Sequence, residues 1–388
     1  RDIEPDGTVH GGPMYYLRKG LAELGFGPLG KILGGLFAVL CVGASFGGGN
    51  MFQSNQAAAQ VQTLFGFHDR PAVVEDAAAD GTTAVDEVVA DGAANAGPAG
   101  EARSQWLKKA SGAIIGLVMA GLVAVVIIGG IKRIATVTEK IVPLMAILYV
   151  AAALIIILWH IRDLPQAVTE IFYGAFTPAA GVGGLVGVIM VGFQRAAFSN
   201  EAGAGSAAIA HSAVRTRYPA SEGVVALLEP FIDTVVICTM TALVIVLFNI
   251  DGAFAYGVVS NSQVQLQETG QWVGGVDLTS MAFDSVLPNF RYVLTIAIIL
   301  FAFSTMISWS YYGLQSWKYL FGRGGLSDLI YKILYCGFVV IGAASSLDAV
   351  IKFSDAMILA LVFPNMIGLL LLVPRVRREL TRYLDATR

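Results

Sequence analysis

The stretch SNEAGAGS, residues 199–206, is polar and glycine-bearing and separates two apolar helical halves. The first half is GVGGLVGVIMVGFQ, from Gly181 to Gln194, and the second runs from Ala207 to Ala213. One straight helix of this length would be about 50 Å long, which exceeds a hydrocarbon core of about 30 Å. Because exposed backbone at bilayer depth is tolerated only where it lines a cavity, the stretch predicts a broken membrane helix. The alternative is a polar loop between two short interfacial helices.

The composition is that of a polytopic membrane protein. Of 388 residues, 56% are hydrophobic and only 14% are charged, which is far more apolar than a soluble domain of this size requires. The 44 glycines and 13 prolines suit membrane helices, in which small residues allow close packing and breaks are common. Discontinuous helices are also where secondary transporters bind substrate and coupling ions.

Eight apolar spans follow from the pattern, and the fold class predicted is all-α. We place the spans at about 31–65, 111–130, 141–159, 181–213 (broken), 223–248, 292–316, 328–346 and 354–373. Residues 1–30 are predicted as a loop with an amphipathic segment, 31–374 as the membrane domain, 70–104 as an acidic insertion, 164–178 as an interfacial segment and 375–388 as a basic tail.

Lysine and arginine are distributed unevenly among the predicted loops. They cluster before the first span, between the second and third, after the broken fourth, between the sixth and seventh and after the eighth. With eight crossings, all of these positions fall on one side of the membrane, and basic residues favour the cytoplasmic side. The C-terminus is therefore predicted to be cytoplasmic, and the loops at 67–105 and 249–289 external. We expect an inner-membrane or plasma-membrane protein surrounded by the lipid bilayer.

Five ordered motifs make the chain resemble the alanine or glycine:cation symporter family. They are GGPMYY at 11–16, GNMFQSNQ at 49–56, GGIKRI at 129–134, FSNEAGAGSAAIAH at 198–211 and STMISWSYYG at 304–313. The resemblance implies a LeuT-like fold, in which two inverted five-helix repeats surround a midplane site and the first and sixth core helices are unwound. Sodium would be the coupling ion, with no other metal and no cofactor.

On that plan the eight spans resemble core helices three to ten, and the broken helix takes the sixth position. Family members have, before GGPMYY, a further helix and core helices one and two. The resemblance therefore implies that this chain is an N-terminally truncated fragment holding part of a binding site. The missing N-terminal helices of the same protein would be its partners.

The substrate-side candidates lie in the break and in the first span. Gly203 and Gly205 let the backbone leave helical geometry, and the freed amides would attract the carboxylate of an amino acid. The alternative for Gly205 is that it serves only close packing. Glu201 either binds a cation or caps the turn, and we favour the structural role. Gln53 would hydrogen-bond the substrate from the third core helix, with plain helix-to-helix bonding as the alternative.

The sixth span carries the cation candidates and an aromatic wall. The resemblance places a hydroxyl pair, here Ser304 and Thr305, as sodium ligands on the eighth core helix; hydroxyls in membrane helices more often bond back to the preceding turn. Trp309 lies one turn beyond Thr305 and would restrict the site to small side chains, unless it only packs. Glu229 and Asp233 share a face of the fifth span and suggest gating or helix pairing.

These features together predict sodium-coupled symport of a small neutral amino acid, namely alanine, glycine or serine, by alternating access. No catalytic residues are expected, because the sequence has no HExxH, GxSxG or Walker pattern and therefore does not suggest an enzyme. Nucleic-acid binding is excluded for lack of a basic surface. The alternatives are an ion channel and a truncated, non-transporting membrane remnant.

Overall fold

The computed structural model describes residues 1–5, 7–65, 98–176, 184–260 and 263–387. Helices dominate these residues. In chain order they are α1 Pro13–Glu23, α2 Gly27–Phe46, a π-helical turn Gly47–Met51, α3 Phe52–Leu64, α4 Pro98–Ile127, α5 Gly130–Trp159, α6 Leu164–Phe176, α7 Gly184–Ser199, α8 Ala207–His211, α9 Pro219–Ala226, α10 Leu228–Pro230, a second π-helical stretch Phe231–Cys238, α11 Thr239–Phe248, α12 Val276–Asp284, α13 Phe290–Phe321, α14 Gly325–Ala344 and α15 Leu347–Thr387.

Seven helical segments among the described residues are long and apolar enough to cross a membrane. They are Gly27–Leu64, Trp106–Ile127, Gly130–Trp159, Pro219–Phe248, Phe290–Phe321, Gly325–Ala344 and Leu347–Thr387. The remaining predicted span, the broken fourth, corresponds to α7 and α8, neither of which is long enough to cross alone. The chain is therefore a multi-pass membrane protein, and seven of its eight predicted spans correspond in order to these seven segments.

Several helix boundaries differ from the sequence-based prediction. Residues 375–388 were predicted as a tail, but α15 continues through them to Thr387. The predicted basic loop between the second and third spans is a short turn, and Lys132, Arg133 and Lys140 lie in α5. Residues 98–104 of the predicted insertion begin α4, whereas 70–97 lie outside the described residues. Basic side chains did not end these helices, because Lys and Arg are good helix formers.

The all-α prediction requires one correction, in the predicted external loop at 249–289. Strands β3 Phe254–Ser260, β4 Gln263–Leu266 and β5 Trp272–Val273 follow two short N-terminal strands, β1 Asp2–Ile3 and β2 Val9–His10. The strands β3, β4 and β5 form an antiparallel sheet in that order. The side chains of Phe254, Leu266 and Val273 form a small buried apolar cluster that holds the three strands together.

The core has two main parts that together fix the helices around the break. The larger cluster joins α1, α2, α4, α13, α14 and α15, and at its centre Phe46 stacks on Phe338 with ring centroids 4.4 Å apart. The second cluster joins α5, α6, α11 and α12 around Tyr149 and Phe283. Helix α13 contributes to both clusters and so carries side chains such as Trp309 on a rigid support.

Charged groups tie the β1–β2 hairpin to the C-terminal end of α13. Arg323 binds Glu4 at 2.7 Å and Asp2 at 3.4 Å. Lys19 of α1 also pairs with Asp2, and its hydrogen bond is the main cause that lowers the pKa of the Asp2 carboxyl. Arg1 donates to the carbonyl of Ser212, just after α8, at 2.8 Å. The hairpin thus bridges three elements at the end of the molecule that the sequence predicts to be cytoplasmic.

Replacing Arg323 by alanine should loosen the hairpin without unfolding the helices. Exposed ion pairs contribute about 0–1 kcal/mol each, so the effect on global stability is small. Local opening of the hairpin is therefore the quantity to measure. Hydrogen exchange of peptides covering residues 1–12 should accelerate, while peptides from α13 keep their protection. Arg382→Ala is the control, because its pairing with Glu379 lies at the far end of α15. Unchanged exchange in Arg323→Ala would mean that other contacts hold the hairpin.

Candidate functional site

The predicted break in the fourth span is present between α7 and α8. Helix α7 ends at Ser199 and α8 begins at Ala207. Within the turn, Glu201, Gly203 and Gly205 have φ values of 55°, 85° and 89°. A left-handed conformation is unusual for a residue with a side chain and common for glycine. The backbone therefore reverses its helical sense three times in five residues, which no continuous helix allows.

Side chains of the turn hold this irregular backbone in place. The Asn200 side-chain oxygen accepts a hydrogen bond from the Ala202 amide at 2.9 Å. The Glu201 carboxylate accepts one from the hydroxyl of Ser206, which is fully buried, at 2.6 Å, and it also faces Trp309. The structural role favoured for Glu201 thus has a contact to support it, although the partner is a hydroxyl and not a backbone amide.

Trp309 is buried beside the π-helical turn Gly47–Met51. Its ring lies against Gly49 and makes an edge contact with Tyr312 at 5.4 Å between centroids. The neighbouring Gly48 faces Phe198 of α7 in the same way. Because these glycines carry no side chain, the first span approaches both α13 and the broken helix closely. The arrangement brings the first span, Trp309 and the break together.

Gln53 lies one turn beyond Gly49 and is half-buried. Its side-chain amide donates to the carbonyl of Gly48 at 3.2 Å, within its own span. Asn50, on the same face, donates instead to the carbonyl of Tyr335 in α14 at 2.7 Å. The structure thus shows helix-to-helix bonding for Asn50, and the contact of Gln53 with substrate stays a prediction.

Ser304 and Thr305 point in different directions from α13. The buried Ser304 hydroxyl donates to the carbonyl of Phe301 at 2.9 Å and lies 3.8 Å from the sulfur of Met145 in α5. Thr305 is half-buried, and its hydroxyl has no hydrogen-bond partner among the described residues. Because Thr305 and Trp309 are four residues apart, they share a helix face. Thr305 is therefore the better placed of the two for a ligand near the break.

The acidic pair of the fifth span contacts the broken helix. Asp233 accepts a hydrogen bond from the hydroxyl of Ser199, and the adjacent Thr234 accepts one from Asn200 at 2.6 Å. Glu229 lies 3.9 Å from His211 at the end of α8. These contacts join the segment 228–238 to both sides of the turn and agree with a helix-pairing role.

Two residues at the break were not singled out from the sequence. Asn365 of α15 donates from its side-chain amide to the carbonyl of Gly203 at 2.7 Å, and it accepts a hydrogen bond from the Tyr16 hydroxyl. Asn365 is an amide within the apolar run LVFPNMIG, and Tyr16 closes the motif GGPMYY. Polar groups inside apolar spans are functional suspects, and that signal would have found Asn365.

A cavity of about 1220 Å³ lies at the opposite end of the first span, beside the β3–β4–β5 sheet. Lys108, Asp277 and Arg291 are among its charged lining residues, and Gln60 donates to Asp277 at 2.6 Å across its wall. None of the six predicted site residues is among the residues that line it. The cavity is therefore separate from the break.

These features define a class of protein: a polytopic membrane protein with a discontinuous helix, a feature of secondary transporters. A sequence profile described as the sodium:alanine symporter family matches residues 1–388. The chain belongs to the sodium:alanine symporter family. Its members are transporters and not enzymes, as the sequence predicted.

Three relatives illustrate the range of the family. The chain is 36% identical to the sodium/alanine symporter AgcS of Methanococcus maripaludis, over 96% of this chain and 69% of that protein. It is 29% identical to the putative sodium/proton-dependent alanine carrier protein YrbD of Bacillus subtilis, over 95% and 66%. It is 28% identical to the probable sodium/glutamine symporter GlnT of the same organism, over 93% and 62%. The chain thus spans about two thirds of the length of these relatives.

Proposed function

We propose that the protein containing this chain imports a small neutral amino acid together with sodium by alternating access. The observation that carries the proposal is the turn at 200–206, in which Glu201, Gly203 and Gly205 are left-handed and Glu201 faces the buried Trp309. Membership of the sodium:alanine symporter family supports the coupling ion and the amino acid class. Alanine is the first substrate proposed, with glycine and serine as others of similar size.

The proposed architecture is LeuT-like, with the described spans as core helices three to ten. The order of spans and the position of the break at the fourth span support it. The alternation of basic segments supports a cytoplasmic C-terminus in the cell inner membrane. In this arrangement 31–374 is the transport domain, and closure would move one group of helices against the other.

Within the site, each proposed residue has a role that follows from its chemistry. The amides of the turn around Gly203 and Gly205 would receive the substrate carboxylate. Trp309 would limit the length of the substrate side chain. The Gln53 amide would give up its hydrogen bond to the Gly48 carbonyl and bind a polar end of the substrate instead. Thr305, with Ser304 behind it on the helix, would supply neutral oxygen to sodium, a type of ligand that hard cations accept.

Uptake into proteoliposomes tests the proposal. Vesicles holding the full reading frame that contains this chain should accumulate labelled alanine when sodium is high outside, and unlabelled glutamine should compete poorly because Trp309 restricts the site. If a proton gradient alone drives uptake, the coupling ion is the proton and not sodium. Uptake that only dissipates the alanine gradient would indicate a channel, and no uptake would indicate a non-transporting protein.

The two hydroxyls predicted to bind sodium should differ in importance. Thr305→Val should raise the sodium concentration for half-maximal uptake by about tenfold, a cost of about 1.4 kcal/mol, because an isosteric methyl cannot ligate a cation. Ser304→Ala should have a smaller effect, since that hydroxyl bonds to Phe301. Ser308→Ala is the control, because Ser308 also bonds back, to the carbonyl of Ser304. Unchanged sodium dependence in Thr305→Val would remove Thr305 from the site.

A further inference from the structure

The side chain of Asn365 connects the broken helix to α1 through two consecutive, partly buried hydrogen bonds. Asn365 is only 1% exposed. Its amide nitrogen donates to the carbonyl of Gly203 at 2.7 Å, and its amide oxygen accepts from the hydroxyl of Tyr16. The Gly203 carbonyl can only accept, so the amide nitrogen must face the break. Its oxygen then faces Tyr16, which can donate.

The Asn365 amide also lies directly against the backbone of the turn. A Cβ atom placed on Gly205 would lie 2.7 Å from the Asn365 side chain, closer than nonbonded carbon atoms approach. Asn365 therefore contacts the turn at two residues, Gly203 by a hydrogen bond and Gly205 by packing. These are the two glycines whose φ values are 85° and 89°.

A carbonyl in an unwound turn needs a partner outside regular helix bonding. Leaving a buried carbonyl without one is costly, so the orientation of the Gly203 peptide depends on a donor being held in place. Asn365 is that donor, and Tyr16 fixes the rotation of its amide from the other side. Helices α1 and α15 also pack together. Tyr16 and Asn365 are therefore held by one helix pair that contacts the turn.

We propose that Tyr16 and Asn365 are positioning residues that set the backbone of the substrate turn from outside it. The inference rests on the proposed function, because it assigns the turn a substrate. With the Gly203 carbonyl held by Asn365, the remaining peptide groups at 201–205 are fixed in direction. Loss of either side chain frees the turn and weakens binding of the amino acid.

Three single substitutions and one double variant test this role by steady-state uptake of alanine. Asn365→Ala should raise the half-saturating alanine concentration by about tenfold or more, with a much smaller change in maximal rate. Tyr16→Phe should raise it by about threefold, and the double variant should resemble Asn365→Ala alone, because both act through one chain. Asn365→Asp retains the acceptor for Tyr16 and loses the donor to Gly203, so it should behave as Asn365→Ala does.

Matched controls and a second measurement keep the outcome clear. Ser354→Ala removes a buried hydroxyl of α15 that has no hydrogen-bond partner, and Tyr319→Phe changes a ring that packs on α1. Both should leave the half-saturating concentration unchanged. Hydrogen exchange at residues 201–206 should accelerate by about tenfold in Asn365→Ala and less in Tyr16→Phe.

Uptake and hydrogen exchange together distinguish a failure of the proposed function from a failure of the positioning role. If the unmodified protein takes up no alanine, the proposed function fails, and exchange at 201–206 still decides whether Asn365 holds the turn. If the unmodified protein transports alanine and the three single variants at Tyr16 and Asn365 keep its half-saturating concentration, the positioning role is wrong. A fall in maximal rate and thermal stability at unchanged half-saturation would likewise reduce Asn365 to a structural residue.

Discussion

Gly205→Ala is expected to lower alanine uptake by about tenfold or more while the protein still reaches the membrane. The backbone at Gly205 has a φ of 89°, and a left-handed conformation costs a residue with a Cβ about 1–2 kcal/mol. The new Cβ would also lie 2.7 Å from the Asn365 amide. Overpacking of this kind costs about 1–3 kcal/mol. The turn must change shape to relieve both effects, and the proposed site is lost with it.

Gly203→Ala provides the informative comparison. Its φ of 85° causes a similar backbone strain, but its Cβ would only touch Met366 at 3.7 Å and Val362 at 4.0 Å. We therefore expect a milder loss of uptake than in Gly205→Ala. Gly192→Ala in α7 is the control, because that position is open and a helical alanine is favoured by about 1 kcal/mol.

Uptake rate, membrane yield and thermal unfolding should be measured together on these three variants. If Gly203→Ala abolishes uptake and Gly205→Ala does not, contact with substrate decides the effect and the packing against Asn365 does not. Equal losses in all three, including Gly192→Ala, would mean that the measurement reports a general intolerance of α7 and the turn to substitution.

The sequence predicted the spans and the break because both depend on local patterns. An apolar run has a length that either matches the bilayer or does not, and SNEAGAGS interrupts a run that is otherwise too long. Exact helix ends were harder to predict, since charges such as Lys132 are compatible with a helix once it projects beyond the membrane. That is why the predicted loop before the third span is only a short turn.

The partners of the site residues could not be predicted, because they lie far apart in the chain. Asn365 and Gly203 are 162 positions apart, and no periodicity relates them. The direction of Ser304 toward Met145, away from its neighbour Thr305, depends on how α13 rotates against α5. The resemblance to a family could suggest which residue types matter, but the packing of helices determines which atoms meet.

Gly49→Ala is the second substitution expected to have a large effect. A Cβ at this position would overlap the Cβ and ring of Trp309. The π-helical turn cannot readily move away, because Asn50 donates to the Tyr335 carbonyl at 2.7 Å. The Tyr335 hydroxyl, which donates to the Met306 carbonyl at 2.7 Å, also lies 3.2 Å from the Gly49 carbonyl. Trp309 must therefore leave its place. We expect uptake to fall by about tenfold or more, about 1.4 kcal/mol.

A double-mutant cycle between Gly49 and Trp309 tests whether that displacement is the cause. Trp309→Ala alone should reduce alanine uptake and relax discrimination against glutamine, and adding Gly49→Ala should cost little more, because the overlapping ring is already absent. Gly35→Ala, an open position in the same span, should be neutral. If the two effects add in full, Gly49 acts through some contact other than Trp309. If Gly49→Ala is fully active, the first span is free to shift, and the close approach of Gly49 to Trp309 is not required for transport.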